Sequence, residues 1–128
     1  MNDDNGLEAA RSRFEKIARL VLALQSADVF AREYAQERIQ EDALEVMIRC
    51  SWHAPGKKSV DVPIEYCVLL SRDSAAVRIV GDLNKYGDPV SARIEHQDWF
   101  NPFVSWVGNC TSVEKILLAY ARCFNFGE

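Results

Sequence analysis

Glu65 and Asp82 are the residues whose types and spacing come nearest to chemistry. If Asp73-Ser74 form the two-residue tip of a hairpin, counting back from it makes these carboxylates direct cross-strand neighbours. Like charges held together push one pKa up, which can create a proton donor or a metal site. The plainer reading is that both are solvated and reach towards Arg49 or Arg93. His96, with Asp98 two residues on, is the second candidate, since an imidazole beside a carboxylate can serve as a general acid–base pair. No motif places a nucleophile near it, so a hydrogen-bonded histidine at the rim of the core is the simpler account.

The four cysteines, Cys50, Cys67, Cys110 and Cys123, contain no C-x-x-C pair, and His53 and His96 lie in unrelated contexts. No zinc pattern results, and no catalytic motif, metal or cofactor is expected. None of the thiols has the basic flank that would lower its pKa, although Cys67 is expected to point outward.

The elements that must position these groups follow from apolar spacing. Ile64, Tyr66, Val68 and Leu70 recur every second residue, as do apolar positions in Leu44 to Trp52, Ala75 to Leu83 and Val90 to Gln97. This pattern predicts a four-stranded antiparallel meander. The hairpin count sets Leu70 against Val77, Val68 against Ile79 and Tyr66 against Gly81 on one face. On the other it sets Leu69 against Arg78, Cys67 against Val80 and Glu65 against Asp82. A glycine opposite Tyr66 leaves a gap that the ring can cover. Pairing Leu83 with Val90 brings Arg78 opposite Glu95 as a cross-strand ion pair. Pro63 lacks an amide hydrogen, so a bulge is expected there.

Residues 1 to 6 read as a frayed tail, and 7 to 128 as one domain. Leu7, Ala10, Phe14, Ile17, Val21 and Leu24 step by three and four, which predicts a helix over 7–26, buried on more than one side in its apolar second half. Asp28 breaks the stripe and can cap a second segment over 29–40, so the helix is kinked or two-part. Phe30, Tyr34, Ala31 and Ala35 mark that segment's apolar side. Asn101-Pro102 spells the start of a short aromatic helix ending at Gly108. Thr111-Ser112-Val113-Glu114 has the spelling of a capping box before a terminal helix through Val113, Ile116, Leu117, Tyr120 and Phe124. The expected architecture is two-layer α+β, with the helices on one sheet face. A helix cradled in a strongly curved sheet, with a cavity at one end, is the competing arrangement.

Composition narrows the function classes. A formal charge of −4 and a pI near 5.2 give no general attraction to phosphate backbones or anionic membranes. Lys57-Lys58 is the one local basic pair in favour of nucleic acid. No apolar run reaches the roughly 18 residues that a membrane span needs. The N-terminus lacks the basic-then-apolar order of a signal peptide, so a cytoplasmic setting with reduced thiols is expected, and Asn109-Cys110-Thr111 matches a glycosylation sequon by spelling only.

What remains is surplus apolar surface. Met47, Leu69 and Val80, with Cys67, make the outer sheet face less polar than a solvated face should be, and Trp99, Phe103 and Trp106 belong to the densest aromatic cluster in the chain. The leading expectation is a small protein-binding protein that neutralises, chaperones or regulates a partner, or pairs with itself as a homodimer. The alternative is a small-molecule-binding domain or minor enzyme with a pocket between sheet and helices, near Tyr66, Gly81, His96 and Trp99.

Overall fold

The computed structural model describes residues 5–50, 52, 54–55, 63–72, 75–98, 101–106 and 111–126. The elements in chain order are α1 (Asn5–Leu24), α2 (Val29–Asp42), β1 (Glu45–Cys50), β2 (Pro63–Ser71), β3 (Ala76–Asp82), β4 (Arg93–Gln97), β5 (Val104–Ser105) and α3 (Thr111–Ala121). All five strands are antiparallel neighbours in sequence order, so the sheet is a meander one strand longer than the periodicity suggests. The fold is α+β, with helices on one sheet face.

The helical pair breaks where Asp28 interrupts the apolar stripe. The Phe30 amide donates to Asp28 Oδ1 at 3.0 Å, and Asp28 is the N-cap of α2. Arg32 does not pair with that carboxylate; its Nη1 donates to the Ser26 carbonyl at 2.8 Å and ties the second segment to the end of the first. α1 begins two residues earlier than its periodicity predicts. The reason is an external cap: the Gly6 amide donates to Asp98 Oδ1 at 2.8 Å, 92 residues away in sequence. Residues 1–4 of the expected tail lie outside the described residues.

Two helix faces differ from expectation. α1 buries Ala10, Ile17 and Val21, but Leu22 is exposed, so the apolar run in its second half is covered on one side. On α2 Ala35 is buried as expected, and Ile39 with it, whereas Phe30 and Tyr34 face outward. α2 packs chiefly against α1, which in turn lies over β3 and β4.

The β2–β3 register is the counted one from Glu65–Asp82 through Leu69–Arg78. It shifts beyond Leu69, where Ser71 rather than Leu70 faces Val77, and the Ser71 hydroxyl donates to the Ala75 carbonyl at 2.9 Å. Residues 73–74 lie outside the described set. The irregularity expected at Pro63 is present, with the β1–β2 register shifting between Arg49 and Cys50.

β4 starts at Arg93, not Val90, and Leu83 bridges Pro89. The segment before β4 is bent across the end of β3: the Tyr66 hydroxyl donates to the Ser91 carbonyl at 2.7 Å and the Asp82 amide donates to Ser91 Oγ at 2.9 Å. The preceding turn is closed by Asn84 Oδ1, which accepts from the Tyr86 and Asp88 amides, and by Gly87 at φ 83°.

In the described part of the aromatic segment, 101–106, there is no helix, and Val104–Ser105 is a strand. Asn101 closes a turn onto Asp98, and Val104–Ser105 then pairs with His96 and Glu95. Alternation about that strand separates the aromatic residues. Trp106 packs with Phe14 in the core at 5.2 Å between ring centroids, while Phe103 lies against Arg78 on the opposite face. The core joins Ile17, Val21 and Ile39 to Tyr66, Val68, Ile79 and Ile94, with Leu117, Tyr120 and Phe126 closing it. Among the described residues no helix is long and apolar enough to cross a membrane.

Candidate functional site

Among the described residues β1 is an edge strand, and its apolar side chains are left exposed. Val46 and Ile48 pair with Val68 and Tyr66, so they belong to the face that the helices occupy, yet they are 40% and 45% exposed. Leu44, just before the strand, is 57% exposed. The cause is lateral: α1 and α3 lie over β3 and β4, and their cover still buries the inner residues Tyr66, Val68 and Leu70 of β2 but does not extend to β1.

The backbone of this edge is also available. Ile64 accepts from Leu83, so Ile64, Tyr66 and Val68 turn their hydrogen-bonding groups towards β3 and the alternate residues Glu65, Cys67 and Leu69 turn theirs towards β1. The partners of those three, Arg49, Met47 and Glu45, therefore bond inward. Val46 and Ile48 present their amide and carbonyl groups to the open edge, where no described strand pairs with them.

A shallow hollow of about 320 Å³ adjoins the edge on the outer face of the sheet. Met47, Cys67 and Val80 line it, with Arg49, Glu65 and Arg93 among its charged walls. Each of these charges has a partner. Arg49 Nη2 lies 2.8 Å from Glu65, Arg72 holds Glu45, and Arg78 and Arg93 both hold Glu95 at 2.8 Å. Arg78 is fixed again by the Phe103 ring, whose centroid is 3.6 Å from the guanidinium carbon.

Glu65 and Asp82 are the neighbours that counting makes them, but each is engaged elsewhere. Glu65 pairs with Arg49, and Asp82 Oδ2 accepts from the Ser91 hydroxyl at 3.2 Å. His96 is buried on the inner face, and among the described residues its Nδ1 has no hydrogen-bond partner. Asp98 serves the α1 amide instead of forming an acid–base pair with it. Burial pushes the Cys67 thiol up, with Arg78 opposing, and likewise raises Cys123, which is the reverse of nucleophile activation. No cluster that could hold a metal occurs among the described residues.

The inner positions near Gly81 are filled. A Cβ there would meet the Ser91 carbonyl oxygen at 2.0 Å and the Tyr66 hydroxyl at 2.8 Å, and Tyr66 packs against Phe126. Burial, reinforced by Asp82 and Glu114, raises the Tyr66 hydroxyl far above its ordinary range, so it stays a neutral donor.

Of the residues expected to bind protein, Met47 is 40% exposed and Val80 half-buried, both at the hollow. Leu69 is buried between its cross-strand neighbours Glu45 and Arg78. Phe103 and Trp106 go to opposite faces, as above. Trp99, His53, Cys110 and Lys57-Lys58 lie outside the described residues. Sequence reasoning missed Leu44, Val46 and Ile48, which alternation assigns to a covered face. Their position in the first strand of a meander was the available signal, because such a strand has a free edge unless another element covers it. No protein-family model, curated protein or solved structure matches this chain.

Proposed function

We propose that the chain is a protein-binding protein, acting by neutralising, chaperoning or regulating its partner, which takes up an extended segment along β1. The observation that carries this reading is an edge strand whose open backbone groups and apolar side chains, Val46 and Ile48, are exposed together. Natural sheets guard such edges with charge, proline or a covering element, and an unguarded one is a template for strand addition. The outer hollow beside Met47 gives the added segment a place for side chains. Unpaired Cys50, Cys67 and Cys123 support a reducing, cytoplasmic setting.

Panning random displayed peptides against the full chain tests this. The expected products alternate apolar and polar residues and bind with affinities on the order of micromolar. Val46→Lys, and independently Val46→Pro, should abolish that binding while the melting temperature stays within a few degrees of the parent, since the Val46 amide does not bond to β2. Peptides that bind the parent and Val46→Lys equally would remove β1 as the site.

The hollow itself favours a second reading, a small-molecule site, because its volume is in the range of ligand pockets. Filling it by Val80→Trp should then eliminate ligand-induced thermal stabilisation, whereas Val46→Lys should leave that stabilisation intact. Stabilisation that survives Val80→Trp would exclude the hollow.

A further inference from the structure

Building on the edge-strand reading above, we infer that the segment β1 takes up is the β1 strand of a second copy of this chain, joined antiparallel about a two-fold axis at Met47. The regular part of the strand runs from Glu45 to Arg49, in the order acid, apolar, Met, apolar, base. Turned on itself about Met47, this pattern sets Glu45 of each copy opposite Arg49 of the other, and Val46 opposite Ile48.

Backbone geometry permits that register. Val46 and Ile48 are the residues whose amides and carbonyls face the open edge, so a Val46–Ile48 pairing is a hydrogen-bonded one in both directions. A slip of one residue would set outward-bonding groups against inward-bonding ones. A slip of two in either direction keeps the bonding but separates Glu45 from Arg49. Side-chain facing agrees as well: Glu45, Met47 and Arg49 share the outer face, and Val46 and Ile48 share the inner one.

The charges complete the match. Glu45 and Arg49 are 45% and 63% exposed at the side chain despite their internal partners, so each retains a free flank. Across the axis they extend two existing pairs into a row of alternating sign, Arg72 to Glu45 to Arg49 of the second copy to its Glu65. The apolar pairs Val46–Ile48 would cover one another on the inner face. Two five-stranded sheets thus become one continuous sheet with β1 at its centre.

An edge pairing this short falls at the small end of protein interfaces, so the expected state is a reversible dimer with a midpoint on the order of tens of micromolar. Sedimentation velocity of the full chain from about 1 to about 300 µM reads it directly. Glu45→Arg alone and Arg49→Glu alone each create like-charge contacts at both crossings and should weaken self-association at least about tenfold. An equimolar mixture of the two single variants should associate again, because each restores opposite charges across from the other, and the double variant E45R/R49E should pair with itself. This rescue cannot come from variants that fail to fold.

A parent that stays monomeric throughout, or dimerises with an affinity that neither reversal changes, overturns the proposal, as does a mixture that shows no rescue. A monomeric parent whose β1 still binds selected peptides in a Val46→Lys-sensitive way removes the second copy and leaves the protein-binding reading standing. A chain that does neither removes both.

Discussion

Gly81→Ala is expected to destabilise the chain by about 3–5 kcal/mol, lowering the melting temperature by more than about 10 °C. The added methyl would lie 2.0 Å from the Ser91 carbonyl oxygen and 2.7 Å from its carbon, and both are backbone atoms of the segment bent over the end of β3. That segment cannot yield cheaply. It is held by the Tyr66 hydroxyl on the Ser91 carbonyl and by the Asp82 amide on the Ser91 hydroxyl, and moving it breaks a part-buried hydrogen bond as well as the packing. Tyr66→Phe, which removes the hydroxyl alone, should cost only about 1 kcal/mol. It should not rescue Gly81→Ala, because the closest obstruction is backbone and not the ring. Calorimetry of the single and double variants checks this. A Gly81→Ala melting point within about 3 °C of the parent would show that the 90–92 segment moves freely.

That glycine marks how far the amino-acid sequence reaches. Counting from an assumed two-residue tip sets Tyr66 against Gly81 and with it four further pairs between Glu65–Asp82 and Leu69–Arg78, although the register shifts by one residue between Leu69 and Ser71 on the way to that turn. What crosses above Gly81 does not follow, because the alternation of Val90, Ala92 and Ile94 reads as continuous strand although residues 90–92 lie outside β4 and Ser91 bonds to Tyr66 and Asp82. Asn101-Pro102 misleads for a related reason. Its spelling suits a helix start, but Phe103 and Trp106 are drawn to opposite faces of the sheet, and only a strand separates them so. On α2 the expected apolar side holds at Ala35, but Phe30 and Tyr34 are exposed, and Ile39 is buried beside Ala35 where the helix meets α1.

The candidate site was legible by half. Met47 and Val80 on the outer face follow from register alone. The exposure of Val46 and Ile48 does not, since alternation tells which face is apolar but not how far the helices reach across it. Lateral coverage depends on where α1 and α3 come to lie, which is set by contacts distant in sequence such as the Gly6 amide on Asp98.

Glu95→Gln should cost about 2–4 kcal/mol at pH 7, with a pH dependence that identifies its cause. The side chain is about 10% exposed, with Arg78 on one carboxylate oxygen at 2.8–2.9 Å and Arg93 on the other at 2.8 Å. Burial alone would raise its pKa, but the hydrogen bonds from Arg93 and Arg78 outweigh burial and hold it below the ordinary value of 4.5. A carboxyl group depressed in the folded state contributes its full stability above the unfolded pKa and loses it as pH falls through the folded one. Urea unfolding of parent and variant should therefore differ most at neutral pH and converge as pH drops well below 4.5. The amide keeps the shape of the carboxylate but leaves two guanidinium groups beside each other without a counter-charge, and Arg78 then loses one of the two contacts that fix it at the outer face. A stability difference that stays constant down to acidic pH would mean that packing around Glu95, and not its charge, holds the two arginines in place.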